Sequence, residues 1–174
     1  MELRFQQKSL NKGKNMLSEN VLTALNIQMG HELTNYYIYK NFAGIADFLG
    51  LDGTKSWFEK QSEEEKGHFE KFYKYISDKG HLPKLSTLPE QETDILSFAE
   101  LFAKTIETEA QTTNNLGLVA QICKEDNDDQ TYELILWFLK EQVEEEDTVR
   151  TIYQRILMSS NNPLKVDEEL AERA

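Results

Sequence analysis

Proline is confined to positions 83, 89 and 163, so the stretches between are long and open to helix. A ring-locked residue without an N–H breaks a helix interior at a cost of ~3 kcal/mol, which makes its distribution decisive. Ser18 before Glu19 suits an N-cap, predicting a first helix that runs to about Phe48. Gly50-Leu51-Asp52-Gly53-Thr54 reads as a turn, and a second helix follows from about Lys55 to Lys79, closed by Gly80. Residues 81–94, with Pro83 and Pro89, lack helical period and exceed the usual hairpin length, which predicts a crossover. A third helix is expected from about Ile95 to Lys124, then an acidic turn over Glu125 to Asp129, then a fourth helix from about Gln130 to Met158. Asn161-Asn162-Pro163 sets off a short amphipathic piece, Leu164 to Arg173. Two hairpins joined by one long crossover make an all-α four-helix bundle, with residues 1–17 as an N-terminal extension and 18–174 as one domain.

Each predicted helix carries an apolar seam in steps of three and four, the spacing that packs a bundle core. The seams read Leu25, Met29, Glu32, Tyr36, Tyr39, Ala43, Ala46 in the first helix and Phe58, Gln61, Glu65, His68, Phe72, Tyr75 in the second. The third gives Phe98, Phe102, Thr105, Glu109, Thr112, Leu116, Val119, Cys123, and the fourth Ile135, Phe138, Gln142, Glu145, Val149, Ile152, Ile156. All four are interrupted by polar residues near the middle. In an antiparallel bundle the midpoints lie at one height, so Glu32, Glu65, His68, Glu109, Gln142 and Glu145 are expected to share one buried layer.

Bare carboxylates cannot share a dry core, because desolvation and mutual repulsion both oppose their charge. A bound cation removes the conflict. Four carboxylates and one imidazole form a mostly hard-oxygen set that suits Fe, Mn, Mg or Ca, and the nitrogen tilts the choice toward a transition metal. Glu65 and His68 stand three apart on one helix face and can hold one ion together; the surplus carboxylates imply a second.

The 174 residues are 39% hydrophobic, enough for one sizeable core. A formal net charge of −12 argues against a nucleic-acid partner, whose binders concentrate Lys and Arg on one face. No apolar run approaches a membrane span or a signal peptide, and the single cysteine, Cys123, sits among apolar residues as a buried hydrophobe would. A cytoplasmic protein with no membrane contact is expected.

From about Leu22 onward the chain resembles the bacterial non-haem ferritins. The likeness rests on Leu25 to Leu33 in the first helix, Glu63-Glu64-Glu65-Lys66-Gly67-His68 in the second, and Glu141 to Glu146 after Trp137 in the fourth; the third matches through Phe102 and Glu109. The resemblance implies an iron-storage ferroxidase without haem, in which Glu32, Glu65 and His68 hold one iron and Glu65, Glu109 and Glu145 the second, Glu65 bridging and Gln142 lining the centre. Glu64, Glu141 and Glu144 match an accessory third iron site, or form an exposed acidic face. Tyr39 matches a tyrosine that could supply an electron, or is a packed core residue. The final piece, with Val166, Leu170 and Ala171 on its apolar side, resembles a fifth helix that implies packing in a homo-oligomeric cage of twenty-four subunits.

One departure matters. Related di-iron bundles carry two Glu-x-x-His pairs, but here Thr148 stands where Glu145 would need a histidine, leaving the second iron position with oxygen ligands alone. Fe(II) is expected to enter past Asp126, Asp128 and Asp129 and to give its electrons to dioxygen or peroxide. The rival readings are a di-iron or di-manganese oxidase that stores no metal and a helical interaction module with a buried polar network.

Overall fold

The computed structural model describes residues 16–91, 93–95, 97–159 and 163–172. It consists of α1 (Glu19–Phe48), α2 (Asp52–Asp78), α3 (Phe98–Glu125), α4 (Asp129–Met158) and α5 (Pro163–Ala171), with no strand among the described residues. Helix α1 lies along α2 and α3 along α4; the two hairpins meet mainly through α1 and α3. Phe58 near the start of α2 packs on Phe102 near the start of α3, ring centroids 5.3 Å apart, so these two helices run parallel. The end of α2 is therefore a helix length, about 40 Å, from the start of α3, and the expected crossover is the consequence. It lies along α1: the Lys84 N–H donates to Asn26 Oδ1 at 2.7 Å, and a Cβ on Gly30 would come within 2.7 Å of Ser86 Oγ.

Local chemistry sets most helix ends. Ser18, Ser97 and Asp128 cap α1, α3 and α4, accepting from the N–H groups of Val21, Glu100 and Thr131. Gly50, Gly80 and Asn127 take positive φ just past the ends of α1, α2 and α3, and each is followed by an N–H that reaches back to the carbonyl of Ala46, Ile76 or Cys123.

Helix α2 departs from expectation. It begins at Asp52, so Gly53 and Thr54 belong to its first turn rather than to a turn before it. Its own N-cap, Leu51, has no capping side chain; Asp167 of α5 supplies the carboxylate instead, accepting from Gly53 N (3.1 Å), Thr54 N (2.7 Å) and Thr54 Oγ1 (2.6 Å). Gly53 permits this approach, since a Cβ there would lie 1.9 Å from the Asp167 carbonyl oxygen. Of the expected N-terminal extension, Leu17 is buried in the core and Met16 is exposed, while residues 1–15 lie outside the described residues.

The core has two apolar clusters. One gathers Phe42, Trp57, Phe58, Phe102, Val149 and Ile152 with Val166 and Leu170 of α5; the other gathers Leu25, Met29, Phe72, Leu116, Cys123 and Phe138. At ~25 cal/mol per Å² of apolar area, each buried aromatic contributes about 2–3 kcal/mol. Between the clusters lies a layer of buried polar residues: Gln28, Glu32, Asn35, Ser62, Glu65, Glu109, Thr112 and Gln142.

Candidate metal centre

Each of the four long helices contributes to that layer: α1 brings Glu32, α2 Glu65 and His68, α3 Glu109, and α4 Gln142 and Glu145. Glu32 and Glu65 are fully enclosed, and His68 is 13% exposed. His68 Nδ1 stands 3.6 Å from Glu65 Oε2 and 3.9 Å from Glu32 Oε2. One ligand atom from each of the three lies within 4.8 Å of the others, and no other trio of acidic, His or Cys side chains among the described residues closes to that degree. The His68 ring is held by the edges and faces of Phe138 and Trp137, at centroid distances of 5.3 and 6.0 Å.

Glu109 completes the layer from α3. It accepts from Tyr39 OH and, at 2.5 Å, from Gln142 Nε2, while Gln28 Nε2 donates to Glu32 Oε1 at 2.7 Å. Gln142 and Tyr39 are thus donors to Glu109 in this geometry. Burial pushes the carboxyl groups of Glu32 and Glu65 well above the usual range, with Glu65 adding its charge to the first and Glu109 to the second. Burial also raises Glu109, against the hydrogen bonds from Tyr39 and Gln142, and lifts Glu145 to about 8 with help from the Glu109 charge. Tyr39 is raised well above a free phenol by burial and by Glu109.

Three carboxylate oxygens of this layer, Glu32 Oε2, Glu65 Oε2 and Glu145 Oε2, are buried without a hydrogen-bond partner, as are Gln28 Oε1, Asn35 Oδ1 and Ser62 Oγ. An orphaned buried acceptor costs ~1–3 kcal/mol, more if charged. Two of them, on Glu32 and Glu65, converge beside the His68 imidazole nitrogen and make a donor set that a divalent cation satisfies and apolar packing does not.

Glu64, Glu141 and Glu144 line an open cavity of about 210 Å³ between α2 and α4, together with Gln61, Thr148 and the inner residues Glu109 and Glu145. The cavity connects the buried layer with solvent on this face.

The seams predicted for α1 and α2 need correction, at one position in α1 and two in α2, where Ile76 is fully buried and the expected Tyr75 half-buried. Asn35 is fully buried where Tyr36 was expected, and Ser62 where Gln61 was expected; Tyr36 and Gln61 are half-buried. Steps of four-then-three and three-then-four are equally helical, and hydrophobicity favours tyrosine over asparagine. The fold decides otherwise because Asn35 finds Thr112 Oγ1 at 3.0 Å and the Glu65 carboxylate inside the bundle. Asp128, expected on the iron entry path, caps α4 and accepts from Thr131 Oγ1 at 2.5 Å, and Asp126 accepts from Ser18.

The ferritin-like domain matches residues 22–158. The chain is 33% identical over 162 residues to the bacterial non-heme ferritin of Staphylococcus haemolyticus (strain JCSC1435), covering 91% of this chain and 98% of that one. It is 34% identical over 161 residues to the bacterial non-heme ferritin of Staphylococcus aureus (strain USA300), covering 91% and 97%. An open pore ferritin from the hyperthermophilic archaeon Archaeoglobus fulgidus superposes with a TM-score of 0.86 at 28% identity, over 89% of this chain and 98% of that one. With the family model matched over residues 22–158 and relatives 33–34% identical over nearly their whole length, the chain belongs to the ferritin-like family.

Proposed function

We propose that this protein is an iron-storage ferroxidase: it binds a pair of Fe(II) ions in the polar layer, oxidises them there and stores the Fe(III) product in a homo-oligomeric cage of twenty-four cytoplasmic copies. The observation that carries the reading is the convergence of Glu32, Glu65 and His68, with orphaned oxygens on both carboxylates. These three hold the first iron. Glu65, Glu109 and Glu145 hold the second, with Glu65 shared.

Iron is the substrate here, and the residues prepare for it. The raised carboxyl groups give up protons as cations arrive, so binding is coupled to proton release. Tyr39 and Gln142 orient Glu109, as hydrogen-bonding neighbours commonly orient a metal ligand. Each Fe(II) gives up one electron, and the pair delivers two to dioxygen or peroxide. The cavity lined by Glu64, Glu141 and Glu144 is the third iron position and the passage to and from the pair. Because the second position has oxygen ligands only, it binds Fe(II) more weakly than the one containing His68.

Stopped-flow mixing of anaerobic Fe(II)-loaded protein with dioxygen tests this reading. Glu65→Ala and His68→Ala are expected to remove the rapid phase of oxidation while the protein stays folded and assembled. A rapid phase that survives both substitutions contradicts the assignment.

A further inference from the structure

A second opening reaches the polar layer from the opposite side. It is a groove of about 370 Å³ between α1, α3 and the crossover, bordered by Thr34, Ile38, Pro89, Thr108 and Gln111, with Asn35 among its lining residues. Its character differs from that of the acidic cavity between α2 and α4. The groove holds no cluster of carboxylates: Lys104 and Glu107 pair at 3.5 Å, leaving Glu90 as the remaining acid on its lining. Nothing here concentrates cations.

Asn35 stands between this groove and the centre. It lines the groove, is 0% exposed, and its amide also acts on the Glu65 carboxylate. Its orientation is fixed: Nδ2 donates to Thr112 Oγ1 at 3.0 Å, His31 Nε2 meets the same hydroxyl at 3.0 Å, and Thr112 donates to Thr108 O at 3.1 Å. With Nδ2 so committed, Asn35 Oδ1 is left as a buried acceptor without a partner. The polar cluster of cation ligands does not explain it, because a neutral amide oxygen adds little to a site already rich in carboxylates.

We propose that the α1/α3 groove admits hydrogen peroxide to the centre and that Asn35, at its inner end, is a specificity-determining residue whose Oδ1 accepts a hydrogen bond from the peroxide O–H. Dioxygen has no hydrogen to give and gains nothing from this acceptor. A molecule close to water in size, roughly 30 Å³, fits the groove several times over. The inference rests on the ferroxidase reading and names the oxidant. Peroxide receives one electron from each of two Fe(II) ions, its O–O bond breaks, and two protons from solvent complete two water molecules.

The test uses the assembled full-length protein, loaded anaerobically with Fe(II) and mixed with hydrogen peroxide or with dioxygen. The readout is the ratio of the two rate constants, with Co(II) binding followed by calorimetry in parallel. Asn35→Leu keeps the branched shape but removes the acceptor together with the Nδ2 donor to Thr112; Thr34→Phe obstructs the groove. Because a site built around a hydrogen bond discriminates strongly against a partner that cannot form it, the peroxide-to-dioxygen ratio is expected to fall about tenfold or more in both variants. A ratio unchanged in either variant overturns the proposal, and so does loss of Co(II) binding in Asn35→Leu, which makes Asn35 part of the metal pocket instead. Wild-type protein that oxidises Fe(II) rapidly with neither oxidant overturns the ferroxidase reading itself, a failure distinguishable from the variants' behaviour.

Discussion

Glu145 shows how one residue of the layer carries both stability and affinity. Burial and the Glu109 charge lift its carboxyl to about 8, so the metal-free fold favours the protonated form. Its contribution to stability is complete below the ordinary carboxyl pKa near 4.5 and is lost as pH rises through about 8. Glu32, Glu65 and Glu109 shift in the same direction. The thermal midpoint of chelator-treated protein is therefore expected to fall between about pH 5 and pH 8, and Glu145→Gln to flatten that fall while weakening Co(II) binding. A midpoint that rises over this range would count against the assignment. At this scale the sequence was legible where one residue type breaks an apolar run: Glu32, Glu65 and Glu109 stand out against their neighbours. Asn35 and Ser62 did not, because a helical period of 3.6 leaves the choice between adjacent positions to tertiary partners such as Thr112, which no local pattern reveals.

Among the elements, α5 and α2 depend on each other. The Asp167 carboxylate satisfies backbone donors at the start of α2 that no neighbouring side chain reaches, and Gly53 leaves room for it. Asp167→Ala is expected to cost about 1–2 kcal/mol and to expose residues 163–171 to faster amide exchange, measured by mass spectrometry. Asp128→Ala removes the local cap of α4 and is expected to leave exchange over 163–171 unchanged. Gly53→Ala should release α5 more fully than Asp167→Ala, since the added methyl collides with backbone rather than removing a bond. The start of α2 was hidden in the sequence for the same reason: its cap lies 113 residues away along the chain, and glycine marks a close helix approach here as readily as a turn. Most other helix ends followed from local signals, Ser18 and Gly80 above all, but α3, expected from about Ile95, starts at Phe98 after its Ser97 cap.

At the scale of the whole molecule, the bundle is two apolar clusters separated by a polar layer that is reached from both faces. The clusters hold the bundle together, and in the proposed function the layer is the part that cations complete. Saturating Co(II) is expected to raise stability by about 2.7 kcal/mol per site at a hundredfold excess over Kd, read as an upward shift of the thermal midpoint at pH 7.5. Four interrupted seams at one height made this layer visible in sequence, because antiparallel packing aligns helix midpoints. The groove on the α1/α3 face was not visible, since it depends on how the crossover lies against α1. Whether the layer holds a metal pair shared through Glu65 can be read from anomalous diffraction of crystals soaked anaerobically in Fe(II). Two iron peaks at mid-bundle, both within bonding distance of Glu65 and one beside His68, are predicted; iron confined to the cavity of Glu64, Glu141 and Glu144, or absent from the layer, would contradict the account.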